Sequence, residues 1–188
     1  MDNRNINIRI FRGNVNKDIL VNFIYTYQTP NDPENKYPTL RKTQSGTVIV
    51  EHNYGLTISQ GFDQSHIFIG TKLWSQFVTL LDKSVKLISE NLLDIFPDIN
   101  SCEFEIDNRA LERYQTEKAC SVAGMTIIPT VWVDNSQQCY PAIQISTLKD
   151  SCVIPLEDAI PLSASLNKID PIIYGFNTLQ LMYSMFGK

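Results

Sequence analysis

Apolar residues keep two different periods along this chain, and the change between them at Thr71 constrains the fold more than any single motif does. In Asn5-Ile6-Asn7-Ile8-Arg9-Ile10-Phe11-Arg12 they alternate strictly, the period of a strand with one buried face. Ile6, Ile8 and Ile10 share one face of that strand; Asn7, Arg9 and Phe11 share the other. From Thr71 onward the steps become three and four: Trp74, Phe77, Leu81, Val85, Ile88, Leu92 and Ile95. That stripe predicts one amphipathic helix of about 25 residues, with Thr71 as its N-cap and Pro97 as its stop.

The remaining segments extend the pattern. Ile19 to Gln28 reads as a second strand, rich in aromatic and β-branched residues. Thr29 to Ser45, with Pro30, Pro33 and Pro38, has no period and reads as a long loop. Thr47–Glu51 and Leu56–Ser59 read as a hairpin around His52-Asn53-Tyr54-Gly55, and His66–Ile69 as a short strand. In the second half, Cys102–Asp107 alternates like a strand, and Asn108–Ala119 suits either a polar helix or a strand. Thr126–Val133 and Tyr140–Leu148 form a hairpin around residues 134–138. Cys152–Ile154 is a further strand, and Leu156–Leu166 and Pro171–Phe186 are two helical stretches. Strands then helix, given twice, predict an α+β fold: two tandem antiparallel-sheet-plus-helix units, 1–98 and 101–188, packed as a single domain over 1–188.

Composition narrows the function classes. The 188 residues are 43% hydrophobic, enough for a packed core. The net charge of -4 falls entirely after residue 100, whereas residues 1–60 hold 7 bases against 5 acids. A basic footprint for phosphate is therefore local and lies in the first half. Met1-Asp2-Asn3-Arg4 opens no apolar leader, and the uncharged stretch from Pro171 to Gly187 is shorter than the roughly 20 residues a membrane span needs. The expectation is a cytoplasmic protein without a membrane partner. Cys102, Cys120, Cys139 and Cys152 have no C-x-x-C spacing, so they read as free thiols rather than zinc ligands. Isoleucine and asparagine are abundant, 22 and 15 residues, against 6 alanines, a codon bias that suits an AT-rich genome such as that of a phage or a bacterium of low GC content.

No catalytic signature stands out. His52 and His66 sit in no H-E-x-x-H frame, no serine lies in a G-x-S-x-G elbow, and the glycines form no phosphate loop. Glu103, Glu105 and Asp107 would place three carboxylates on one strand face, which suits either a divalent cation or plain solvation. The expectation is a protein that is not an enzyme and needs no cofactor.

Binding is better supported. A hairpin centred on residue 136 places Trp132 opposite Tyr140 on its less apolar face, as a cross-strand aromatic pair. Such a pair serves either as a stacking platform for bases or as packing under a helix or a neighbouring subunit. Arg9, Phe11 and Arg12 on the first strand, with Lys36, Tyr37, Arg41 and Lys42 in the long loop, interleave basic and aromatic side chains. That mixture suits single-stranded nucleic acid, because charges track phosphates and rings stack on bases; it also suits a charged edge strand that blocks aggregation.

Two strand-and-helix units between Ile6 and Phe186 resemble, in element order, the Whirly-type single-stranded DNA-binding fold. The resemblance implies two four-stranded sheets around a helical kernel, a homo-oligomer, and single-stranded nucleic acid bound without catalysis. The contacts would come from Arg9, Phe11, Arg12, Lys36, Tyr37, Arg41, Lys42, Trp132 and Tyr140. The competing expectation is a viral or phage protein-interaction module, in which a protein partner covers the aromatic pair.

Overall fold

A computed structural model describes residues 3–28, 40–42, 48–50, 52–61, 66–99, 105–117 and 121–186. The first half runs β1 (Asn3–Arg12), β2 (Ile19–Gln28), β3 (Leu40–Lys42), β4 (Val48–Val50), β5 (His52–Gln60), β6 (His66–Gly70), α1 (Thr71–Glu90) and α2 (Leu92–Ile95). The second half runs α3 (Asn108–Glu117), β7 (Ser121–Val122), β8 (Met125–Val133), β9 (Cys139–Ser146), β10 (Ser151–Pro155) and α4 (Leu156–Phe186). One antiparallel sheet has the strand order β1-β2-β5-β6 and leads straight into α1. The other has the order β10-β9-β8-β7, and its strand β10 leads straight into α4. The protein is α+β, with two four-stranded antiparallel sheets and, among the described residues, four helices.

The core forms where the two periods meet. Strand parity points Ile19, Val21, Leu56, Ile58, Ile67 and Ile69 inward from the first sheet. It points Met125, Ile127, Ile143, Ile145, Cys152 and Ile154 inward from the second. Helix periodicity brings Trp74, Phe77, Leu81, Val85 and Ile88 of α1 and Leu156, Ala159, Leu162 and Leu166 of α4 into the same cluster. Each large side chain there contributes about 1.5–3 kcal/mol relative to exposure. The helices cross-link antiparallel: Ser75 Oγ donates to Asp170 Oδ1 at 2.9 Å, while Ser163 Oγ and Asn167 Nδ2 each donate to Asp82 Oδ1 at 3.1 Å.

A buried carboxylate joins the two halves. Asp158, in the first turn of α4 and fully buried, accepts from Asn14 N at 2.7 Å, Val15 N at 3.1 Å and Asn16 N at 2.8 Å. These amides belong to the β1–β2 turn and have turned away from the sheet ladder. An ionised acceptor satisfies such donors better than a neutral one. Gly13 makes room for this turn, because a Cβ there would collide with the Asn16 carbonyl and sit 2.9 Å from Asp158 Oδ2.

Several sequence expectations need correction. The strict alternation of β1 breaks at a bulge: Arg9 pairs with Asn22, but Phe11 pairs with Val21. The extra residue, Ile10, turns Phe11 onto the core side, where it is half-buried, so Arg9 and Phe11 do not share a face. The segment taken as one loop contains β3, which pairs with β4 as a separate ribbon; β5 is continuous through 52–55, so no hairpin turns there. The expected helix of about 25 residues ends at Glu90. Asn91 interrupts it, donating its side-chain amide to Leu87 O at 2.7 Å, before the single turn of α2. Gly70, not Thr71, occupies the N-cap. Residues 105–107 are not strand: Asp107 Oδ1 caps α3, accepting from Arg109 N at 2.8 Å and Ala110 N at 3.3 Å. Pro161 and Pro171 both lie inside one continuous α4, and both are exposed, so the carbonyls each leaves without a partner face water.

Candidate functional site

The outer face of the first sheet is built by the same parity that fills the core. With Ile67 and Ile69 inside, Phe68 between them must point out, and it is 56% exposed. Register then sets one row across all four strands: Arg9 beside Asn22, Asn22 beside Thr57, Thr57 beside Phe68. At about 4.8 Å per strand the row spans roughly 14 Å. The next row holds Arg12, Leu20, Ser59 and the His66 position. Thr57 and Ser59 turn their hydroxyls onto the β2 carbonyls of Asn22 and Leu20, both at 3.4 Å, which leaves Arg9, Arg12 and Phe68 as the prominent exposed groups among the described side chains of these rows. No acidic residue stands at any of these positions.

Phe68 lies over glycine. Gly55 and Gly70 are register partners, and the tip of the Phe68 ring covers them: an added Cβ on Gly55 would stand 2.6 Å from Cζ, and one on Gly70 3.8 Å from Cε1. The ring is laid along the sheet with no side chain beneath it at those two positions. This aromatic-over-glycine arrangement orders a ring while leaving it open to solvent.

The second sheet has a different outer face. Trp132 pairs with Tyr140, as the hairpin symmetry predicts, with ring centroids 5.4 Å apart and planes at 42°. Both residues are half-buried. Beyond them the face holds Thr126, Ile128, Thr130, Ala142, Gln144 and Ser146 and no charged residue. Burial, then the carboxylates of Asp134 and Glu157, hold the Tyr140 phenol above its ordinary value. The aromatic pair therefore sits in a negative setting, unlike Phe68.

The sequence-predicted residues are thus distributed. Arg9 and Arg12 share the outer face of the first sheet. Phe11 packs on the core. Arg41 and Lys42 belong to the β3–β4 ribbon, opposite Ile49 and Val48. Lys36 and Tyr37 lie outside the described residues, as do Glu103, Cys102 and Cys120. Trp132 and Tyr140 form their pair on the other sheet. Sequence reasoning missed Phe68, although the isoleucines flanking it carry the signal.

Cys139 and Cys152 are free thiols, and burial pushes Cys152 up to about 12. Among the described residues, no three His, Cys, Asp or Glu side chains converge as a metal site. No described helix is long and apolar enough to cross a membrane. No family model, curated protein or solved structure matches the chain.

Proposed function

We propose that the protein binds single-stranded nucleic acid without catalysis, and that the strand crosses the outer face of the first sheet. The observation that carries this reading is the row Arg9–Asn22–Thr57–Phe68, with Arg12 beside it. An exposed ring gives a base something to stack on, worth roughly 1–3 kcal/mol. Two guanidinium groups on the same face, in two rows that hold no acidic residue, give the phosphates their counter-charge, and the Asn22 side chain adds donors and an acceptor. The order of meander and helix, given twice, supports the likeness to Whirly-type single-strand binders. A homo-oligomer belongs to this reading. Since Ser75 meets Asp170 and the helices run antiparallel, residues 175–186 of α4 continue past the start of α1, and they carry no charge.

Titration of fluorescein-labelled oligo-dT, followed by anisotropy at about 50 mM and about 200 mM salt, tests the proposal. Binding should weaken steeply with salt. Phe68→Ala should cost roughly tenfold or more, and Arg9→Ala should lower the salt slope by about one. Absence of binding at the lower salt overturns the function. Loss with Trp132→Ala but not with Phe68→Ala overturns the placement on the first sheet.

A further inference from the structure

The acid-flanked aromatic pair calls for a ligand of the opposite sign to the one Phe68 serves. We infer that Trp132 and Tyr140, with Asp134 and Glu157 at either side, form a docking site for an arginine side chain of a basic peptide segment.

Four observations converge on this. The rings touch as a tilted pair, 5.4 Å apart at 42°, and both residues are only half-buried. Asp134 and Glu157 both act on the Tyr140 phenol. Glu157 stands in the first turn of α4, two residues past Pro155, the strand partner of Ala142. Asp134 follows Trp132 by two residues on the other side. The loop holds Asp134 in place: its Oδ1 accepts from Ser136 N and Gln138 N, each at 2.8 Å. Finally, the chain has no Lys or Arg between residues 126 and 148, nor from 150 to 167, so no local cation on these segments neutralises the pair.

The chemistry selects the ligand. Aromatic faces attract cations, tryptophan most strongly, and a guanidinium stacks flat on such a face. The same group offers donors in a plane to carboxylates at its rim, and those hydrogen bonds are charge-assisted. A phosphate would meet two carboxylates and is repelled. A neutral ligand would gain from the rings but make no use of the paired charges. The second face therefore serves a protein partner, independent of the nucleic acid proposed for the first.

A fluorescein-labelled, end-blocked tetra-arginine peptide is the probe, with anisotropy as the readout on the full chain. The native protein should bind it, and Asp134→Asn with Glu157→Gln should weaken binding about tenfold or more. Asparagine at 134 keeps an Oδ1 acceptor for the loop amides, so that variant retains the turn. Tyr140→Ser should weaken binding by a similar factor, while Glu90→Gln with Asp94→Asn, which removes two charges on α1 and α2, should change it less than about twofold. Equal weakening by the two charge pairs would show that only net charge matters and overturns the site, as does absence of binding by the native protein. Oligo-dT affinity should stay unchanged in Asp134→Asn with Glu157→Gln, which separates this failure from a failure of the nucleic-acid reading.

Discussion

Phe68 rests its ring on Gly55, the residue diagonally across the β5–β6 pair from it, and the fit excludes any larger residue at position 55. A Cβ there would stand 2.6 Å from both the ring and the Ile69 carbonyl oxygen. Gly55→Ala should therefore cost about 1–3 kcal/mol, the usual range for overpacking. Chemical denaturation should show a lower midpoint with an unchanged slope. An unchanged midpoint would mean that both the ring and the Ile69 carbonyl give way freely.

Asp158 should be among the least replaceable residues in the chain. Asp158→Ala leaves the amides of Asn14, Val15 and Asn16 without their acceptor in a buried setting and should cost about 3 kcal/mol or more. Asp158→Asn keeps one oxygen acceptor but loses the charge and should fall between that variant and the native protein. Equal stability of all three proteins in urea would remove the carboxylate from any joining role.

Ala123 sits at φ 48° beside Gly124 at φ 82°, in the two-residue turn between β7 and β8. Alanine is strained there, whereas asparagine tolerates this region and Asn-Gly is the preferred pair for such a turn. Ala123→Asn should stabilise the protein by about 0.5–1 kcal/mol. A thermal melt that moves downward would contradict this.

Cys152 should resist alkylation while the protein stays folded. With its thiol pushed up to about 12, the reactive thiolate is only about one part in ten thousand at pH 8. Iodoacetamide labelling mapped by peptide mass should modify Cys152 only after denaturant is added. Rapid labelling under native conditions would show that β10 opens.

Much of this fold is legible because period is local information. The Trp132–Tyr140 register follows from the symmetry of one short loop, and the α1 stripe from steps of three and four. Other features are written in no period. The Ile10 bulge adds one residue and flips every side chain after it, which is why Arg9 and Phe11 look like neighbours in sequence and part in space. Asn91 ends α1 through one side-chain bond to Leu87 O, within a stripe that runs on unbroken to Ile95. Pro171 reads as the start of a separate helix, yet it is exposed and α4 runs through it without a break. For the candidate site, Arg9 was readable from strand parity and charge, whereas Arg12 joins its face only because of the Ile10 bulge. Phe68 was equally readable but lies in a short strand that attracts no attention for its charge.

The Asp158 carboxylate also sets an order of events. It reaches back 144 residues to the amide of Asn14. A chain made from its N-terminus can pair β1 with β2 early, but that first turn stays incomplete until the beginning of the last helix exists. Contacts of such sequence separation form slowly, because a long loop must close first. The Asn14, Val15 and Asn16 amides of the opening hairpin therefore stay without this acceptor until α4 has formed.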